Sequence, residues 1–378
     1  MNVPGTRFAH IDCLRAIAAL LVIWMHTSEH FVLIAAPSIQ DRLHDIAAFA
    51  DFGRIGVVIF FAISGFVIPS SLRADRAGSC REFLIKRLFR LYPIYWFSIP
   101  FGLVTFWYLW GKEISPAAIL LNLTMVQEAL GMPSVQGQYW TLQTELAFYG
   151  LCVLLFFGGV LRSAAVLSAL VLMLSALCLL PIAMSFVGKT PPLSLPPTLA
   201  MLALHLGVMF WGALFRIWYD KTPMHWLARL SVFGYLAAWW LMAAVAVSYY
   251  LMITADIKVL HFFLPYALGV ATFAGLAIYA KVRPAWLVWL GTISYSLYLF
   301  HPVVFYTLSW LVQVSNVSWL QHWPTGAYML ASLAGTIFVS ALTYRYIEQP
   351  AMRMGNYLAQ RSSAKQAPLM ARPVNEAI

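Results

Sequence analysis

Arg15 and His26 stand eleven residues apart within the apolar stretch 11–36. Hydrocarbon penalises charge, so an ionisable pair inside a membrane span marks a functional site by default. At 100° per residue, eleven residues bring a helix back to within about 20° of the same face, with an axial separation of roughly 16 Å. One face of one helix then carries both groups. A neutral imidazole can act as general base near physiological pH, and a guanidinium offers a fixed donor fork to carboxylate or phosphate. Asp12, three residues before Arg15, is spaced to hold that guanidinium at the inner surface. The alternative is that Arg15 faces an anionic group of a cytoplasmic ligand. His30, one turn beyond His26, reads as an interfacial residue.

Further along, FLIKRLFRLYPIYW (83–96) sets Arg87 and Arg90 three residues apart on one face, with Pro93 just beyond. Basic residues at a cytoplasmic helix end meet lipid headgroups, or here the phosphates of an acyl donor. If those phosphates sat near Arg87, Arg90 and Arg15, an extended pantetheine arm would carry its thioester toward His26. Glu145, in WTLQTELAFY, is expected about one turn inside the outer boundary, at the depth inferred for His26. A carboxylate there can orient an imidazole, stabilise its protonated form or bind a substrate hydroxyl. Trp140, Phe148 and Tyr149 supply faces for a sugar ring, or else the ordinary interfacial aromatic belt. His301 precedes Pro302, whose missing N–H frees a carbonyl in the preceding turn, so local packing and a place in the site are both open to it. Ser64-Gly65-Phe66 reads as a close helix contact, and nothing marks Ser64 as an activated nucleophile.

The elements that must position these groups are membrane helices. With 62% hydrophobic and 10% charged residues, the 378-residue chain has too little polar surface to coat a water-soluble globule. Apolar runs at 14–35, 56–72, 91–109, 145–160, 164–184, 199–219, 232–254, 261–280, 286–312 and 328–346 predict about ten transmembrane helices in an all-α polytopic bundle. Lys and Arg alternate between loops as that count requires. Placing the N-terminus in the cytoplasm leaves Arg42, Arg54, Lys112, Lys189 and Lys258 outside and the other nineteen of 24 inside, so both termini are cytoplasmic. The net charge of +10 then describes a basic face on anionic lipid and calls for no nucleic acid.

Cys13, Cys80, Cys152 and Cys178 lack CxxC spacing, which supports neither a disulfide framework nor a metal site. The first apolar run, with Arg15 and His26 inside it, is expected to be retained rather than cleaved as a signal peptide. One integral membrane domain covers 1–353, and the polar tail 354–378 is expected to be a disordered cytoplasmic segment. Four prolines, Pro191, Pro192, Pro196 and Pro197, predict a stiff exterior connection over 188–197. No internal repeat of fixed period points to a transporter built from inverted halves.

Taken together, these segments resemble the acyltransferase 3 family of integral membrane acyltransferases. The ArgX10His of Arg15 and His26, FFAISGFVI, the ArgXXArg of Arg87 and Arg90 followed by LYPIYW, WTLQTELAFY, and LGTISYSLYLFH occur in the family's order across almost the whole chain. The resemblance implies a ten-helix fold in the plasma (inner) membrane. It also implies transfer of an acyl group from cytoplasmic acyl-CoA, usually acetyl-CoA, to a hydroxyl of a glycan or lipid-linked glycan, as in O-acetylation of envelope polysaccharide. Succinyl transfer is the variant. On this likeness His26 is the essential histidine, Arg15 its partner, Arg87 and Arg90 the donor-side pair, and Glu145 the fourth-span glutamate. Trp140, Tyr149 and His301 are expected to meet the acceptor. Some relatives carry a fused extracytoplasmic hydrolase-like domain, for which this chain has no room, so it is expected to act alone or to hand acyl groups to another polypeptide. The expected chemistry is proton removal from the acceptor hydroxyl by His26 with Glu145 steadying the imidazolium, or transient acylation of His26. A membrane carrier for a lipid-linked sugar or anionic solute is the competing class, using the same ionisable groups without an acyl donor, and an envelope scaffold is a third.

Overall fold

The computed structural model describes residues 8–35, 41–72, 78–186, 195–254, 257–279, 281–314 and 319–364. Its helices are α1 (Ala9–Phe31), α2 (Asp41–Ala50), α3 (Phe52–Val67), α4 (Ser79–Gly102), α5 (Pro116–Asn122), α6 (Trp140–Phe157) and α7 (Ala164–Phe186). They continue with α8 (Pro197–Tyr219), α9 (Trp226–Tyr249), α10 (Ile257–Ile278), α11 (Ala285–Thr292), α12 (Ser294–Val314), α13 (Thr325–Thr343) and α14 (Gln349–Ala364). No strand occurs among the described residues, and nine helical segments among them are long and apolar enough to cross a membrane. The remaining expected span, α4, has the length at 24 residues but carries Arg81, Glu82, Lys86, Arg87 and Arg90 in its first half. The chain is a polytopic helical bundle.

α1 and α3 lie at its centre, α1 against α3, α11, α12 and α13, and α3 against α8 and α10 as well. Between lipid-soluble helices there is little hydrophobic drive, so close packing through small residues holds them together. Gly65 shows this in the expected SGF contact: a Cβ there would stand 1.8 Å from the Met209 carbonyl oxygen of α8. The predicted run 286–312 is not one helix but two, parted at Ile293. The break seats α11 on α1 so closely that a Cβ on Gly291 would meet the Asp12 carbonyl oxygen at 1.8 Å, beside the residue that pairs with Arg15.

Two connections depart from expectation or escape it. The tail does not lose structure at 354, because α14 runs on to Ala364 and packs along α4, with Gly355 set against Phe89. Residues 365–378 lie outside the described residues, as does 187–194, which holds most of the proline-rich connection. Pro197 opens α8 in its first turn, where a missing N–H is harmless.

The segment between α4 and α6 matters most for the site. Asn122 organises it: its amide donates to the Ala118 and Pro133 carbonyls at 2.8 and 3.0 Å, and its Oδ1 accepts from the Val135 N–H at 2.9 Å. Tyr95 of α4 donates to the Asn122 carbonyl at 2.6 Å. Gln136, Gln138 and Tyr139, the last residues of this segment before α6, are buried.

Candidate active site: two adjoining cavities

Arg15, Arg87 and Arg90 come together as predicted, in a cavity of about 90 Å³ between α1, α3, α4, α6 and α12. Arg15 Nη1 lies 2.8 Å from Asp12 Oδ1, the pairing expected from the sequence, and Arg15 also lines the cavity. The Arg87 guanidinium sits 5.4 Å from the centre of the Phe83 ring and 5.6 Å from that of Tyr149, and its Nε has no hydrogen-bond partner. Aromatic faces favour a desolvated cation but leave its N–H groups to seek an anion.

Glu145 belongs to this cavity and not to His26. Its Oε1 accepts from the Tyr149 hydroxyl at 2.5 Å and from Ser64 Oγ at 3.3 Å, with the three arginines around the same space. The expected depth assumed that α6 starts at the outer boundary. Trp140, at the start of α6, lines the cavity of His26, and Glu145, five residues and about 7.5 Å along the helix, lines the arginine cavity. Tyr149 is likewise drawn to the arginine side, as a partner of Glu145 and Arg87 rather than a wall for acceptor.

His26 opens on a second, larger cavity of about 370 Å³, shared with Trp140 and His301 as expected. The His26 and His301 rings stack with centroids 5.5 Å apart and planes at 23°. Pro302 has no N–H for the Tyr298 carbonyl four residues back, and His301 Nδ1 lies 2.8 Å from that oxygen. A carbonyl can only accept, so Nδ1 carries the proton, and buried Nε2, with no partner, is the bare nitrogen. Glu29 Oε2 stands 3.9 Å from His26 Nδ1. The His30 ring packs among Phe31, Phe305 and Tyr306.

Several lining residues went unnoticed in the sequence. His205 of α8 faces the cavity, its ring 5.1 Å from that of Trp140 and its Nε2 2.8 Å from the Tyr266 hydroxyl. The rule that singled out His26, an ionisable group in an apolar run, would have found it. Asp51 caps α3 by accepting the Arg54 N–H at 2.9 Å, pairs with Arg54 Nε at 3.3 Å, and joins Arg54, Glu29 and Gln138 in the wall. Arg54 also donates to the His261 carbonyl. These meet only through tertiary folding.

The arrangement is a cationic pocket next to a chamber holding imidazoles, carboxylates and an indole face. The sequence model of the acyltransferase 3 family, described as an acyltransferase domain, matches residues 8–345. Nodulation protein 10 of Rhizobium leguminosarum bv. viciae is 26% identical over 383 residues, covering 93% of this chain and 95% of that protein. An O-acetyl transferase of Shigella phage Sf6 is 33% identical over 95 residues, 25% of each chain. None of the solved structures matches the chain. The site and the match along nearly the whole sequence lead to one conclusion: the chain belongs to the acyltransferase 3 family and is a multi-pass membrane acyltransferase.

Proposed function

We propose that the protein moves a short acyl group, acetyl in the first instance, from cytoplasmic acyl-CoA to a hydroxyl of a cell-envelope or exported glycan, across the plasma (inner) membrane. The observation that carries this is that α1, α3, α6 and α12 each line both cavities, so a cationic donor-side pocket and a histidine chamber adjoin along the same four helices. The name of the phage relative supports acetyl as the group. On this reading the phosphates of the donor meet Arg87, Arg90 and Arg15, and its thioester end points on toward the histidine chamber.

In the chamber His26 takes the proton of the acceptor hydroxyl as that oxygen attacks the thioester carbonyl. The C–S bond breaks, the new C–O ester forms, and the sulfur leaves as the thiolate of CoA, which is protonated on release. Glu29, the carboxylate next to His26, steadies the imidazolium in place of Glu145. The bare Nε2 of His301 accepts a hydrogen bond from the acceptor, and Trp140 offers a face to its sugar ring. Burial of the thioester keeps water from hydrolysing it.

Inverted membrane vesicles given radiolabelled acetyl-CoA and envelope glycan test this reading, with wild type and His26→Ala at equal membrane abundance. Label transferred by wild type and lost in the variant is the expected result. No transfer by wild type with acetyl- or succinyl-CoA, a competent acceptor being present, would overturn the donor assignment in favour of a carrier.

A further inference from the structure

The arginine cavity and the histidine chamber have two lining residues in common, Val57 of α3 and Tyr298 of α12. These two side chains therefore stand on the partition between the two spaces. Both are buried, at 9% and 8% exposure, and both are held. The Tyr298 hydroxyl lies 2.8 Å from Thr141 Oγ1 and 3.1 Å from the Gln138 carbonyl oxygen. Its ring meets Phe60 edge-on at 6.1 Å, and its backbone carbonyl is engaged by His301 Nδ1 at 2.8 Å. Swinging the ring aside would break its hydroxyl contacts in a desolvated place, where unmade hydrogen bonds are costly. Val57 is β-branched and confined to essentially one rotamer on a helix. Neither side chain moves easily from its place on the partition.

We propose that Val57 and Tyr298 form a rigid constriction that sets the size of the acyl group this enzyme transfers, with Val57 as the residue that excludes chains longer than acetyl. The inference rests on the acyltransferase reading above and adds its donor specificity. A thioester carbonyl presented at the junction leaves its acyl methyl against the Val57 side chain, and each further methylene must displace a Val57 methyl. Discrimination by one methylene in an apolar pocket amounts to about 10–200-fold. Phe60 lies on the arginine side of the junction and acts on it through the Tyr298 ring.

The test is the donor profile of membranes supplied with acetyl-, propionyl- and butyryl-CoA and glycan acceptor, for wild type, Val57→Ala and Val57→Ile at equal abundance. Val57→Ala is expected to raise the propionyl-to-acetyl ratio of kcat/KM by about tenfold or more. Val57→Ile, a conservative change that keeps the helix contact, is expected to cut acetyl transfer and abolish propionyl transfer while binding of labelled acetyl-CoA is retained. Active variants with the wild-type donor ratio would overturn the constriction and leave the acyltransferase reading standing. Wild-type membranes that transfer none of the three acyl groups would overturn that reading, and the constriction with it.

Discussion

On the proposed function, the two cavities differ as an anchor differs from a reaction chamber. On the arginine side three guanidinium groups and one carboxylate crowd a small space and are tied down by Asp12, the Phe83 and Tyr149 rings, and a Glu145 held by Tyr149 and Ser64. On the histidine side the space is larger, and its ionisable groups are imidazoles within reach of Glu29, Asp51 and Arg54. Fixed charge suits retention of a phosphate-bearing donor, whose affinity must not depend on the reaction's progress. Groups that gain and lose a proton suit the transfer itself. The contrast says that mutations on one side act on donor KM and those on the other on kcat.

The sharpest way to break that division is His26→Ala, expected to lower kcat by about 10²–10⁴-fold with binding of labelled acetyl-CoA retained. Loss of donor binding instead would place His26 on the anchoring side. Next in size, Arg90→Ala and Arg87→Ala should each raise the KM for acetyl-CoA by about 10–100-fold, as expected for a lost charge-assisted hydrogen bond of about 1.5–3 kcal/mol, with kcat nearly unchanged. Arg87→Lys should recover little, since an ammonium lacks the planar fork. A kcat defect at either position, with KM intact, would erase the distinction.

Smaller effects sharpen the boundary. Glu145→Gln and Glu29→Gln exchange the same atoms on opposite sides, so steady-state kinetics of the pair compare the cavities directly. The first is expected to change donor KM about threefold to tenfold, and the second to lower kcat by a similar factor through a less stabilised imidazolium. The reverse pattern would return Glu145 to the role first expected of it. Smallest, Pro302→Ala restores an N–H that competes with His301 Nδ1 for the Tyr298 carbonyl. It should cost only a few-fold in kcat by loosening the His301 ring, while leaving donor KM alone. An unchanged kcat would show that the tautomer is set without that bond.

The sequence by itself determined what local geometry and hydrocarbon dictate. Helical periodicity put Arg15 and His26 on one face, since 100° per residue needs no tertiary partner. Apolar runs gave the bundle, because a chain in lipid must satisfy its backbone within each helix, and Pro302 announced a freed carbonyl before its recipient was known. Tertiary structure decided depth and company. Glu145 lines the arginine cavity while Trp140, five residues earlier on the same helix, lines that of His26, a division set by the packing of α6 among its neighbours that no periodicity encodes. Ile293 divides a continuous apolar run because Gly291 must seat against Asp12. The helix at 354–364 persists because α4 supplies a face for a segment too polar to bury a core alone. Val57 and Tyr298, ordinary in the sequence, line both cavities because four helices run past the two spaces. A residue's chemistry is written in its type, but the space it opens on belongs to the packing of helices distant in the chain.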